Sequence, residues 1–85
     1  MKAKQNEVFE VVANEREYQD KRWPGHKHTN TEFLVYIDHY VKEAFAAVSV
    51  QDDDKATYPA LRKIAALAVA AMEQNGFARR IDAQS

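Results

Sequence analysis

Apolar side chains recur along this chain at helical spacing in three separate stretches, with polar or turn-forming residues between them. In the first stretch Val8, Val11, Val12, Glu15 and Tyr18 fall at i, i+3, i+4, i+7 and i+10, which is one stripe of a helix. The spacing predicts a helix from about Lys4 to about Lys21. Trp23-Pro24-Gly25 ends it, because proline disfavours the helical region for the residue before it and glycine permits a turn. A polar loop, His26 to Asn30, follows. Thr29 with Glu32 three residues on is a capping-box pattern, and Asn30 is a competing N-cap. The second helix is predicted over about 31–49, with Leu34, Ile37, Val41, Ala44, Phe45 and Val48 as its apolar face.

The run Gln51-Asp52-Asp53-Asp54-Lys55 reads as a solvated turn that gives the next helix an acidic N-terminus. That third helix is predicted over about 56–74. Pro59 is tolerated only in a first turn, so the regular part starts near it. Leu61, Ile64, Leu67, Ala68, Ala71 and Met72 are expected to face inward, and Asn75-Gly76 is a C-cap signal. Small or apolar residues cover most of the circumference of this helix, which predicts contacts on more than one side. The tail over 77–85 is polar apart from Phe77 and Ile81. Nothing alternates with period two, so the fold class is all-α. An N-terminal helix packs on a long antiparallel helical hairpin, all in one domain over residues 1–85.

Length and charge sharpen this picture. A core built from 85 residues is small, and a second copy would add much to it. A homodimer or higher oligomer, formed as a four-helix bundle, is therefore expected over a monomeric three-helix bundle. The formal net charge of −1 argues against a general nucleic-acid coat. No cysteine is present, which excludes disulfides and thiolate zinc sites. The longest apolar stretch, Ile64 to Met72, is far short of the roughly 20 residues of a membrane span. The N-terminus has no apolar run of the secretory kind. The expectation is a soluble cytoplasmic protein with no membrane partner.

Two segments resemble a known family. Glu15-Arg16-x-Tyr18-Gln19-Asp20-x-x-Trp23 with its His-containing loop is similar to the opening of small phage and prophage MazG-like proteins. Leu61 to Gly76 is similar to their second hairpin helix. The resemblance spans about Val8 to Arg80. It implies an all-α hydrolase fold that cleaves nucleoside triphosphates to monophosphate and pyrophosphate with magnesium, in the cytoplasm of a host cell if phage-encoded. Active members carry two acids, a two-residue gap and a third acid on the first hairpin helix, then an acid, a two-residue gap and an Asp on the second. Here the first pattern falls on Asp38-His39-x-x-Lys42, where only Asp38 is an acid. The second falls near Arg62 or Lys63 and Ala65 or Ala66, where no acid stands.

The resulting expectation is a MazG-like module that binds a nucleotide or nucleotide-derived signal without hydrolysing it. Arg22, Lys27, Lys42, Arg62 and Lys63 would hold phosphate, since Lys and Arg bind phosphate oxygens directly. Tyr18 or Trp23 would stack a base, in a pocket between the hairpin and the loop from Asp20 to Thr29. For each group a plainer reading stands beside this one: solvated charge for the bases, helix packing for the aromatics. Asp38 and Glu43 are the candidate metal ligands. With Glu15 or Glu73 from another subunit they would serve the alternative reading, a divergent magnesium-dependent pyrophosphohydrolase. His26-x-His28 with Asp20 is a weak metal pattern. Beside Lys21, Arg22 and Lys27 it reads better as an anion-contacting loop. Glu15 lies on the apolar stripe and needs a partner if buried; Arg22 or a group on the second helix is expected. A third alternative is a small helical factor acting on a host protein. No phosphate-cradling glycine loop or nucleophilic triad can be assembled.

Overall fold

A computed structural model describes residues 2–51 and 53–81. It contains three α-helices, and no strand among the described residues: α1 (Gln5–Arg22), α2 (Asn30–Gln51) and α3 (Tyr58–Asn75). A 3₁₀ turn, Asp54–Thr57, precedes α3.

Local chemistry sets the boundaries. The Trp23 amide donates to Gln19 O and closes α1, and Gly25 takes φ 74° in the turn that follows. Thr29 and Glu32 form the reciprocal capping box that opens α2. The Thr29 amide donates to Glu32 Oε1 at 2.8 Å and the Glu32 amide to Thr29 Oγ1 at 3.2 Å. Asn30 is therefore not the cap; its side-chain oxygen accepts from Asn75 Nδ2 instead. Asp53 Oδ1 accepts from the Lys55 amide and Thr57 Oγ1 donates to Asp54 O, so the acidic run caps the 3₁₀ turn. This corrects the expectation that the run would charge the N-terminus of α3, whose first turn holds no acid. Pro59 sits in that first turn, where it lacks only an amide that has no helical partner. Gly76 ends α3 at φ 91° with its amide on Met72 O. Asp52 and residues 82–85 lie outside the described residues.

α3 is the central element. α2 packs antiparallel on one side of it and α1 on another, while α1 and α2 make no packing contact with each other among the described residues. The contacts of α3 on more than one side follow from its alanines. Ala66 is completely buried, and Ala60 and Ala70 nearly so, and a methyl side chain lets a neighbouring helix come close. Among the described residues Phe33 is the one large apolar side chain in the core, at 3% exposure.

The predicted inner faces need correcting. Leu34 and Phe45 on α2 are 63% and 73% exposed, and Leu61 and Met72 on α3 are 58% and 48% exposed. The inner face of α2 runs through Phe33 and Tyr40 together with the expected Ile37, Val41, Ala44 and Val48. The reason is the breadth of the apolar surface. Both helices carry more of it than a three-helix arrangement can cover, and α1 occupies a different side of α3. No described helix is long and apolar enough to cross a membrane.

Candidate functional site

Because α1 and α2 both lean on α3 without touching, a crevice opens between them. The loop from Trp23 to Thr29 closes one end of it. That loop is held from below by the end of α3. Gln74 accepts from the His28 amide at 3.0 Å and donates to His26 O at 3.1 Å. Asn75 donates to His28 O at 3.0 Å. An otherwise irregular segment thus has its backbone groups paired and its position defined.

The resulting cavity has a volume of about 280 Å³. Rings dominate its wall: Trp23, His26 and His28 from the loop, Phe33, Tyr36 and Tyr40 from α2. The His28 ring stands edge-on to Phe33 at 5.4 Å and to Tyr36 at 5.1 Å, so His28 is braced by both rings of α2. Leu67, Ala70 and Gln74 form the floor, and Arg16, Gln19 and Asp20 of α1 the opposite wall.

Its electrostatics are closed. Arg16 donates to Glu73 Oε1 from Nε at 2.8 Å and to Asp20 Oδ1 at 3.0 Å. Burial works against the Arg16 charge, but these two carboxylates outweigh it and raise its proton affinity above the ordinary value. The guanidinium is therefore satisfied by acids of its own chain. Gln19 is different. Its Oε1 is buried and has no hydrogen-bond donor. An acceptor left so costs about 1–3 kcal/mol.

The residues expected to bind phosphate are dispersed. Trp23 lines the cavity, with the Arg22 guanidinium 5.8 Å from its ring centre. Lys27 is exposed in the loop between the two histidines. Tyr18, Arg62 and Lys63 meet elsewhere, in a shallow groove on the other side of α1 with Val11, Asn14 and Glu15. There Arg62 Nε donates to Glu15 Oε1 at 2.7 Å. The Glu15 side chain is only 10% exposed, so its partner comes from α3 and not from Arg22 or α2. Lys63 lies 5.2 Å from the Tyr40 ring centre. Lys42 is on the outer flank of α2, where Asp38 bonds it at 2.8 Å and raises its proton affinity.

Asp38 and Glu43 do not converge. Asp38 is taken by Lys42, and Glu43 receives His39 Nε2 at 2.8 Å, both on the exposed flank. Asp20, engaged by Arg16, does not join His26 and His28 as a third ligand. Among the described residues no three His, Asp or Glu side chains gather to hold a metal ion. The residues present therefore do not fit a magnesium site of the kind the resemblance implies.

Several residues of the cavity were not singled out from the sequence: Phe33, Tyr36, Tyr40 and Gln74, while Arg16 and Gln19 entered only as members of the segment from Glu15 to Trp23. The tyrosines and Phe33 carried a signal, since positions 33, 36 and 40 recur at i, i+3 and i+7 on one face of α2. No local pattern marks Gln74. Compared with protein-family models, curated proteins and solved structures, the chain matches none of them.

Proposed function

We propose that this chain is a non-catalytic helical module that binds a small base-bearing ligand, a nucleotide or a compound derived from one, in the cavity between α1, α2 and the Trp23–Thr29 loop. The observation that carries this reading is the ring-lined wall around about 280 Å³. Such a volume, at the lower end of small-molecule sites, suits a planar heteroaromatic group. Stacking on aromatic faces is the general way proteins hold one without reading its sequence context. Arg22 and Lys27 flank the loop and would meet groups projecting from the mouth. The resemblance to MazG-like phage proteins supports the same ligand class. The alternative of magnesium-dependent hydrolysis would need acids that Asp38 and Glu43, as paired here, do not offer together.

The chain works as a homodimer in this proposal. Leu61, Ala65, Ala68 and Met72 recur at i, i+4, i+7 and i+11 on the side of α3 turned away from the cavity. Leu34, Val41 and Phe45 continue that surface on α2 by the same helical phase. A second copy of the hairpin, packed face to face, would cover it as a four-helix bundle and leave both cavities open.

Trp23 is the only tryptophan, so its fluorescence reports on the cavity wall directly. Titration with a panel of nucleosides and nucleotides should quench or shift it saturably for at least one base. Tyr40→Ala should weaken that binding by about tenfold, since a lost stacking partner costs about 1–3 kcal/mol. A flat response across the panel would sink the proposal.

A further inference from the structure

Trp23, His26 and His28, half of the rings around the cavity, ride on the loop and not on a helix. What holds that loop therefore holds the cavity in shape. Apolar burial contributes little to it. Among residues 23–29 only His28 is half-buried, and all the others are exposed. Local bonds fix the two ends: the Trp23 amide on Gln19 O at one, the Thr29–Glu32 capping box at the other. Between those ends the anchoring falls on two consecutive residues of α3, Gln74 and Asn75.

Their grip converges on His28. Its amide donates to Gln74 Oε1 at 3.0 Å, its carbonyl accepts from Asn75 Nδ2 at 3.0 Å, and its ring is set against Phe33 and Tyr36 of α2. Gln74 Nε2 also donates to His26 O at 3.1 Å, and Asn75 Nδ2 to Asn30 Oδ1 at 3.0 Å. All of these bonds except the one to the His28 amide stand at exposed positions, where water competes for the same groups. A segment held by exposed hydrogen bonds and one half-buried side chain opens at lower cost than packed helices do.

We infer that Gln74 and Asn75 are positioning residues of the cavity. They latch the loop that carries half of its rings, and this loop releases as a local unit while the three helices stay folded. The latch decides whether the cavity is formed, whatever ligand occupies it. The net contribution of one such hydrogen bond is about fivefold in an equilibrium constant, so the loss of two should raise the released fraction by roughly tenfold or more.

The test is limited digestion of the whole chain with trypsin, with the cut sites assigned by mass spectrometry. A protease takes an extended segment, so a cut after Lys27 reports release of the loop. A cut after Lys63, inside α3, reports unfolding of the helices. At low protease concentration each rate follows the population of the open form. Each is normalised to the rate at the same bond in the urea-unfolded chain. In wild type the cut after Lys27 should be about tenfold or more faster than the cut after Lys63. Asn75→Asp keeps the size of the side chain but turns a carboxylate oxygen toward His28 O and Asn30 Oδ1. It and Gln74→Ala should each raise the Lys27 rate by about tenfold or more and change the Lys63 rate by less than about threefold. Gln74→Glu is the milder variant, since it keeps the acceptor for the His28 amide, and its Lys27 rate should fall between wild type and Gln74→Ala. Equal normalised rates after Lys27 and Lys63 in wild type would overturn the local unit, because the loop would then open only with the helices. Variants that raise both rates by the same factor, or leave the Lys27 rate unchanged, would overturn the latch. A Gln74→Glu rate equal to that of Gln74→Ala would overturn the place of the Gln74–His28 bond in it.

Discussion

Glu15 and Arg62 form the contact on which the α1–α3 packing is most exposed to a single substitution. A carboxylate nine-tenths out of water meets a guanidinium from α3 at 2.7 Å. Removing the guanidinium strands the charge, which is worse than removing both. Arg62→Ala is therefore expected to lower stability by about 1–3 kcal/mol, read by urea unfolding. Glu15→Leu combined with Arg62→Leu should recover most of that loss, because apolar side chains of similar size replace the pair without an unpaired charge. Equal losses for single and double variants would mean that the pair adds net stability rather than merely avoiding a cost. That Glu15 needed a partner was legible from its place on an apolar stripe. Which partner was not, because Arg62 is 47 residues away and reaches Glu15 only through the α1–α3 packing.

At the scale of the element, the start of α2 is the most fully sequence-determined feature of the chain. The capping box needs only residues three apart, and both of its bonds form. Thr29→Ala should cost about 1 kcal/mol in thermal or chemical melts. The box also carries a pH signature. The Thr29 amide, and then its hydroxyl, hold the Glu32 carboxyl below its ordinary value of 4.5. A carboxyl depressed in the folded state contributes stability that is complete above its unfolded value, and that contribution is lost as pH falls through the folded one. NMR titration of Glu32 should thus show a midpoint below 4.5, moving back toward it in Thr29→Ala. A wild-type midpoint at or above 4.5 would contradict the geometry. Helix phase was less legible than helix position. On α2 two apolar stripes adjoin, one through Phe33 and Tyr40 and one through Leu34 and Phe45. Periodicity ranks them equally, and only the placement of α1 and the loop on one side separates them.

For the whole molecule, the main consequence is an apolar surface with no cover in one chain. Large apolar side chains stand open on all three helices, while the enclosed apolar residues number only Phe33 and three alanines among those described. A domain that leaves so much exposed is expected to bury it against something, and a two-fold pairing of the hairpin faces, as proposed above, would do so. Analytical ultracentrifugation should give twice the 9.7 kDa mass of one chain. Phe45→Asp with Leu61→Asp should reduce this to one chain, or to a chain that melts far lower, because the charges would face each other across the two-fold axis. A wild-type protein that sediments as a monomer at high concentration would remove the dimer and turn attention to a different protein partner for the same face.

The sequence by itself determined roughly where the three helices lie, how α2 begins and α3 ends, and that no strand forms among the described residues. These follow from periodicity, capping and the fixed φ of proline, all of which act over a few residues. Only the tertiary structure decided that α3 is the centre, that α1 and α2 stand apart, and that the crevice between them is walled by rings. It likewise decided that Arg62 is spent on Glu15 and Lys42 on Asp38, while Gln19 keeps an unused acceptor. The physical reason is range. A hydrogen bond or ion pair between residues dozens of positions apart depends on how helices cross, and composition along a single helix holds no record of the crossing.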